Sequence, residues 1–175
     1  MPAKPHPPDL VELTRRAIDV TNRGDFDALV RLYAPDAVLK LREIGTSFEG
    51  VAAIRGQFED WIGSFEEFAV EPEEILDLGK GVMFAVVGES GRPAGSTGRV
   101  QERTGWVFVW VDRLIVEGTG STDVDGGRAA AERLAALRAW AMSENLDLAR
   151  SIYAAWGLSQ VKTSTATEQP AEERG

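Results

Sequence analysis

The stretch NRGDFDALVRLYAPDAVLKL, residues 22–41, contains the turn signals from which the rest of the fold can be built. Gly24 is a typical helix end, and Asp25 is a good N-cap for a second helix. That helix is predicted to run up to Pro35, with apolar residues at helical spacing at Phe26, Leu29, Val30 and Tyr33. The segment DAVLKL, residues 36–41, then predicts a strand.

Two further helices flank this stretch. Asp9 stands three residues before Glu12 in a capping-box arrangement, and an apolar stripe follows at Leu10, Leu13, Ala17 and Val20. After the predicted turn at residues 43–50, a third helix has a wide apolar face made of Val51, Ile54, Phe58, Trp61, Ile62 and Phe65. This face is too aromatic for a surface helix, so we expect it to pack against a sheet.

Four strands are predicted in the second half, at about residues 68–78, 81–89, 99–111 and 113–122, separated by glycine-rich turns. The segment GWVFVWV, residues 105–111, is apolar on both alternating faces, so both faces should be covered. The helices can cover one face, and a partner subunit is the predicted cover of the other. A final helix is expected from about Gly127 to Ala141.

The predicted fold class is therefore α+β. A curved antiparallel or mixed sheet wraps around the N-terminal helices and forms a cone with one open end, and an extra C-terminal helix follows. We expect four segments: a disordered N-terminus at 1–8, the cone domain at 9–141, the extra helix at 142–157 and a disordered tail at 158–175. The extra helix echoes the first helix, which favours a truncated second copy; a generic amphipathic helix is the alternative.

Composition excludes several kinds of chemistry. The chain has no cysteine and one histidine, His6, which lies among prolines. Disulfides, a cysteine nucleophile and multi-histidine metal sites are therefore not expected, and no metal or cofactor is predicted. The net charge of −9 should repel nucleic acid and anionic membranes. There is no apolar run long enough to cross a bilayer and no signal-peptide core in MPAKPHPPD, so a cytoplasmic protein is expected.

The segments NRGDFDALVRLYAPDAVL, FEGVAAIRGQFEDW and WVFVWVDRLIVEG, in this order and spacing, resemble the nuclear transport factor 2-like superfamily, and within it the SnoaL-like group that includes polyketide cyclases. The resemblance covers about residues 9–138. It implies the cone fold, but the superfamily contains isomerases, cyclases and epoxide hydrolases as well as proteins that only bind, so it does not imply one activity.

The resemblance allows known catalytic positions to be compared. The places of a ketosteroid isomerase base and its two oxyanion donors fall at Leu41, Ala17 and Trp106. The places of the groups in limonene-type epoxide hydrolases fall at Gly120, Val87, Glu89, Leu39 and Leu41. Only Glu89 is ionisable, so neither of these two activities is expected.

The residues predicted to face the interior are Leu39, Leu41, Phe58, Trp61, Phe65, Val87, Glu89, Trp106, Phe108, Gly118 and Gly120. Glu89 is the candidate catalytic residue, and the other ten are candidate ligand-binding residues for an apolar or aromatic small molecule. Two alternatives remain open: these side chains can simply fill the cone, and Glu89 can lie in water at the end of its strand.

Three functions remain open from sequence alone. The leading one is a homodimer, associated through the outer sheet face, that binds a small molecule. The second is an isomerase, cyclase or hydrolase with Glu89 as general base. The third is a non-catalytic dimerisation module with a filled cone.

Overall fold

The computed structural model describes residues 9–164, so the predicted disordered N-terminus and the last part of the predicted tail lie outside the described residues. The helices are α1 (Leu10–Asn22), α2 (Phe26–Val30), α3 (Gly50–Gly63) and α4 (Val124–Ser164). The strands are β1 (Tyr33–Leu41), β2 (Thr46–Glu49), β3 (Phe65–Asp77), β4 (Val82–Pro93), β5 (Val100–Val111) and β6 (Leu114–Ser121).

The six strands form one mixed sheet in the order β2-β1-β6-β5-β4-β3. Strands β1 and β6 are parallel, and all other neighbours are antiparallel. Helix α3 packs on β1 and helix α1 packs on β3, which lie toward opposite ends of the sheet. One apolar core joins both helices to the central strands. The sheet therefore curves around the helices, and the predicted α+β class is confirmed.

The predicted caps hold α1 and α2. The Asp9 carboxylate accepts the backbone N–H of Glu12 at 2.8 Å, and the Asp25 carboxylate accepts that of Ala28 at 2.9 Å. The end of α1 is also fixed to the sheet, because the Asn22 side chain hydrogen-bonds both the N–H and the C=O of Val70 on β3. These contacts set where the inner face of α1 meets the sheet.

The second helix is shorter than predicted. It ends at Val30, and Tyr33 begins β1 instead of closing the helical stripe. Pro35 disfavours the helical conformation for the residue before it, and Tyr33 pairs with Ile115 on β6. The helix prediction was wrong at Tyr33 because strand pairing, which local spacing does not reveal, determines its position.

Three other boundaries differ from the prediction. Residues 46–49 form β2 on β1 rather than a turn. Phe65 begins β3 instead of ending α3. Strand β4 continues to Pro93, and Gly91 permits this because a Cβ there would come within 2.5 Å of the Phe65 ring. The longer β4 places Glu89 inside the strand and not at its end.

The inner face of the sheet is covered by the helices, and the outer face is covered in part, since Val111 at the end of GWVFVWV is 43% exposed. The outer face has an apolar strip of Val82, Phe84 and Val86, and the beginning of α4 packs on it through Ala131 and Ala135. The chain itself thus covers part of the face for which a partner subunit was predicted, including Val107.

Helix α4 is continuous, so the predicted helices at 127–141 and 142–157 are one element. The chain divides within this helix into two compact units, residues 1–136 and 137–175. The described part of the second unit exposes large apolar side chains at Leu137, Trp140, Met142, Leu146, Leu148 and Ile152. Among the described residues, no helix is both long and apolar enough to cross a bilayer.

Candidate functional site

Two adjoining cavities lie on the concave side of the sheet. The inner cavity, of about 50 Å³, is enclosed by α1, β1, α3 and strands β3 to β5. The outer cavity, of about 300 Å³, is bounded by β1, its following turn, α3 and strands β4 to β6. The two share four wall residues, Phe58, Trp61, Glu89 and Trp106.

Nine of the eleven residues predicted to face the interior line one or both cavities. The outer cavity is lined by Leu39, Leu41, Phe58, Trp61, Glu89, Trp106 and Gly120, and the inner cavity adds Val87 and Phe108. Phe65 instead lines an adjoining surface groove with Phe68. Gly118 lies beneath Leu39 and Phe108, because a Cβ there would meet them at 3.1 and 3.4 Å.

The two glycines of β6 make room for the side chains that lie against this strand. A Cβ at Gly120 would lie 2.8 to 3.0 Å from three ring atoms of Trp106. The Trp106 and Phe108 rings are nearly parallel, with an interplanar angle of 3° and centroids 5.8 Å apart. The glycines thus allow these two rings to lie against β6 as one wall of the site.

Glu89 is the ionisable group at the centre of the site. Strand register places it between Val70 on β3 and Glu102 on β5, and its residue surface is only 7% exposed. Its Oε1 accepts a hydrogen bond from Trp106 Nε1 at 3.3 Å. The structure therefore places Glu89 inside, and the alternative in which it lies in water at the end of its strand does not describe it.

Burial raises the pKa of Glu89 to about 7. The hydrogen bond from Trp106 acts against this rise, the negative charge of Glu102 adds to it, and a hydrogen bond with Thr104 acts against it. Both hydrogen-bonding partners are neutral, so neither supplies a counter-charge. Near neutral pH this carboxyl can therefore both accept and donate a proton.

A second carboxylate, Glu43, stands at the mouth of the outer cavity, in the turn after β1. Its Oε1 accepts hydrogen bonds from Ser121 Oγ at 2.9 Å, from Thr122 Oγ1 at 3.0 Å and from the Thr122 backbone N–H. Desolvation tends to raise its pKa, but these hydrogen bonds outweigh it and the pKa is lowered. Glu43 is therefore a permanent negative charge at neutral pH.

The walls have one sign of charge. Glu43, Glu89 and Glu102 line the outer cavity, and in the described part of the chain no lysine or arginine lines either cavity. Basic residues of neighbouring elements form ion pairs elsewhere: Lys40 with Glu117, Arg55 with Asp27 and Glu59, and Arg103 with Glu73. The charged side chains that line the outer cavity are thus all acidic.

Several polar wall residues were not predicted. Thr14 and Thr21 line the inner cavity and give their hydroxyl protons to backbone carbonyls four residues earlier, so each oxygen keeps acceptor capacity. Their seven-residue spacing beside the apolar stripe of α1 was the available signal. Tyr33, whose pKa is raised by burial, also lines this cavity. It was missed because it had been assigned to a helix.

The mapped catalytic positions lie on the cavity walls and, apart from Glu89, hold side chains that cannot transfer protons. Leu41 lies beside Gly120 on β6, and Ala17 faces the inner cavity. Among the described residues, no cluster of three acidic or histidine side chains is arranged to bind a metal ion. Of the three carboxyl groups that line the outer cavity only Glu89 is buried, so it is the candidate proton-transferring group.

Comparison with known families supports the fold. A family model described as a SnoaL-like domain matches residues 14–118. A comparison with curated proteins finds no match.

Several solved structures have a similar fold. One is a protein from Catenulispora acidiphila with a ketosteroid isomerase-like fold, in complex with trimethylamine. It is 14% identical to this chain, with a TM-score of 0.59, and the match covers 63% of this chain and 84% of that protein. Bal32a, from a soil-derived mobile gene cassette, is 21% identical, with a TM-score of 0.58 and coverage of 63% and 86%. A Shewanella putrefaciens protein assigned as a SnoaL-like polyketide cyclase is 13% identical, with a TM-score of 0.55 and coverage of 66% and 90%. At these identities the similarity concerns the fold.

Proposed function

We propose that this chain, which belongs to the SnoaL-like domain family, binds a small, largely apolar molecule in the outer cavity and orients it through Glu89. The observation that carries the proposal is a carboxyl only 7% exposed on the wall of an aromatic cavity. Burying a carboxyl costs free energy unless it has partners, and a purely structural core avoids that cost. A ligand that contacts Glu89 supplies the buried carboxyl with a partner and so offsets part of that cost.

The cavity volume argues against a filled cone. Ligand sites are typically about 300 to 1,000 Å³, mostly apolar, with a few polar groups that orient the ligand. The outer cavity, of about 300 Å³, is at the lower end of this range. Its walls combine Trp61, Trp106 and Phe58 with a small number of polar groups. A guest of modest size fits this description, and the trimethylamine in the Catenulispora structure is a precedent for a small guest in this fold.

A second candidate function is proton transfer, as in an isomerase, cyclase or hydrolase with Glu89 as general base. The pKa of about 7 favours it, because a base is most effective when its pKa lies near the working pH. Leu41, Ala17 and Gly120 stand at the positions mapped for catalytic groups. This candidate therefore does not include the ketosteroid isomerase or limonene-type hydrolase arrangement.

Homodimerisation through the outer sheet face and a cytoplasmic location stay predictions. The beginning of α4 already covers the apolar strip on that face, and charged side chains such as Lys40 and Glu117 lie beside it. A dimer on this face would have to use the polar surface around the strip. Sedimentation of the full chain gives its oligomeric state directly.

The binding proposal is tested by native mass spectrometry of the purified protein and by thermal-shift screening of small molecules. Gln57 is half-buried on α3 at the outer cavity, so Gln57→Trp fills the space; Ala53→Trp, exposed on the same helix, is the matched control. We expect retained mass or ligand-induced stabilisation in the wild type and in Ala53→Trp, and its loss in Gln57→Trp. Ligands that bind both variants equally would contradict the proposed site.

A further inference from the structure

We propose that the ligand of the outer cavity is an organic cation, an amine or quaternary ammonium compound whose charge lies between Glu89 and the aromatic walls. This inference rests on the proposed function, since it names the class of molecule that the same site takes. It follows from three properties of the walls: the sign of their charge, the lack of an internal counter-charge for Glu89, and the position of the tryptophan rings.

The wall charges select against anions and favour cations. Three carboxylates, Glu43, Glu89 and Glu102, line a cavity of about 300 Å³ to which the described residues contribute no basic side chain. An anionic guest would meet uncompensated repulsion there. A neutral guest would meet no repulsion, but it would also gain no electrostatic attraction from the three carboxylates. A cation is the guest for which this electrostatic arrangement is favourable.

The surroundings of Glu89 lack a counter-charge. In the two cavities the elements packed near it contribute neutral or acidic groups: Thr14 and Thr21 from α1, Tyr33 from β1, Gln57 from α3, and Thr104 and Glu102 from β5. Arg103 of β5 lines a separate surface groove with Glu89 and forms an ion pair with Glu73 of β3. The hydrogen bond from Trp106 is long for this donor, at 3.3 Å. When Glu89 ionises, its negative charge is therefore partly desolvated without a positive partner. A bound ammonium group supplies that partner.

The aromatic walls add a second attraction for the same charge. Trp61, Trp106 and Phe58 line both cavities, with Glu89 among them. Ring faces attract ammonium groups, most strongly at tryptophan, and the attraction increases when the site is desolvated. A carboxylate combined with tryptophan rings is therefore complementary to a methylated ammonium, whose methyl groups also need apolar contacts.

The affinity of the site for a cation should depend on pH. A cation stabilises the ionised form of Glu89, so its affinity should rise with pH through about 7, and binding below that pH should release a proton. The other groups on the walls do not change the direction of this effect: Glu43 is ionised because its pKa is lowered, and Tyr33 is neutral because its pKa is raised.

The experiment compares choline, a permanent cation, with 3,3-dimethylbutan-1-ol, its neutral isostere, by isothermal titration calorimetry on the full chain. Neither probe titrates, so any pH dependence comes from the protein. If choline binds only the form with Glu89 ionised, its affinity should increase up to about 30-fold between about pH 5.5 and pH 8.5. The alcohol should bind more weakly at high pH and show no such increase.

Variants locate the effect. Glu89→Gln should reduce choline affinity at high pH toward that of the alcohol and remove the pH dependence. Glu132→Gln, which changes an exposed carboxylate on α4, should behave as the wild type. If Glu89→Gln does not fold, the comparison of the two probes in the wild type remains decisive by itself.

Two results would overturn the inference, and they separate it from the proposed function. Equal or tighter binding of the alcohol, blocked by Gln57→Trp, would leave the binding site in place and reject the cationic ligand. The absence of saturable choline binding up to about 50 mM at high pH would also reject the cationic ligand. The dissociation constant would then be larger than the millimolar values of weak specific ligands. In that case the ligand screen with Gln57→Trp and Ala53→Trp still tests whether the outer cavity binds a small molecule, because the screen does not depend on choline.

Discussion

Two carboxylates on one cavity wall behave in opposite ways. Glu89, inside the sheet, has a pKa raised to about 7, whereas Glu43, exposed in the turn at the mouth, has a lowered pKa. Glu43 receives three hydrogen bonds on one oxygen, one of them from a backbone N–H, while Glu89 has a long bond from Trp106, a hydrogen bond with Thr104 and an acidic neighbour. Hydrogen-bond donors and contact with solvent thus lower the pKa of Glu43, and their shortage at Glu89 allows burial to raise its pKa.

The largest expected effect concerns stability at high pH. The pKa of Glu89 is raised in the folded state above its ordinary value of 4.5, so the folded state binds the proton more tightly than the unfolded state. This contribution is fully present below about pH 4.5 and is lost as pH rises through about 7. Glu89→Gln has no charge to bury, so its free energy of unfolding should exceed that of the wild type by up to about 3 kcal/mol at pH 8.

Urea unfolding at about pH 5 and pH 8 measures this difference. Glu132→Gln is the control and should follow the wild type at both pH values. A difference between Glu89→Gln and the wild type that does not grow with pH would mean that Glu89 is not desolvated, and the comparison with Glu43 would fail.

The next effect concerns the wall that positions the Glu89 donor. In Gly120→Ala the new Cβ would meet three ring atoms of Trp106 at 2.8 to 3.0 Å, so the indole must move. Overpacking of this kind costs about 1 to 3 kcal/mol. Displacement of Trp106 also weakens its hydrogen bond to Glu89, so the pKa of Glu89 should rise further.

Gly118→Ala is the matched variant on the same strand. Its closest contact, at 3.1 Å, is the methyl end of Leu39, which can shift more easily than a ring stacked on Phe108. Thermal unfolding should therefore show a smaller loss for Gly118→Ala than for Gly120→Ala. The reverse order would contradict the role assigned to Gly120.

The smallest effect is expected at the mouth. Glu43→Gln removes the charge that accepts hydrogen bonds from Ser121 and Thr122, and because Glu43 is exposed we expect a loss of only about 1 kcal/mol. The sign in pH is opposite to that at Glu89. A lowered pKa contributes stability above the ordinary carboxyl pKa, and that stability is lost as pH falls through the folded-state value. Unfolding of Glu43→Gln and the wild type should therefore converge in acid.

Much of the site could be predicted from sequence because strand alternation is local information. The period of two places Val87 and Glu89 on one face of β4, and Trp106 and Phe108 on one face of β5, wherever the strands begin. The aromatic stripe of α3 likewise identified Phe58 and Trp61 as inward-facing. These residues line the cavities in the structure.

Other features depended on long-range pairing and could not be predicted. Tyr33 fits the helical spacing of α2, and only its pairing with Ile115 places it in β1. The contact of α4 with Phe84 joins residues far apart in sequence, so the sequence pattern indicated a partner subunit for that face. The opposite pKa shifts of Glu43 and Glu89 depend on hydrogen-bond donors from other strands, which composition does not reveal.

The most direct test of this account is the pKa of Glu89, measured from the pH dependence of its side-chain carboxyl carbon by NMR, with Glu89→Gln used to assign the signal. We expect a midpoint of about 7 for Glu89 and a midpoint below the ordinary value for Glu43 in the same titration. A Glu89 midpoint at its ordinary value of 4.5 would contradict it, because the carboxyl would then be solvated or paired with a charge.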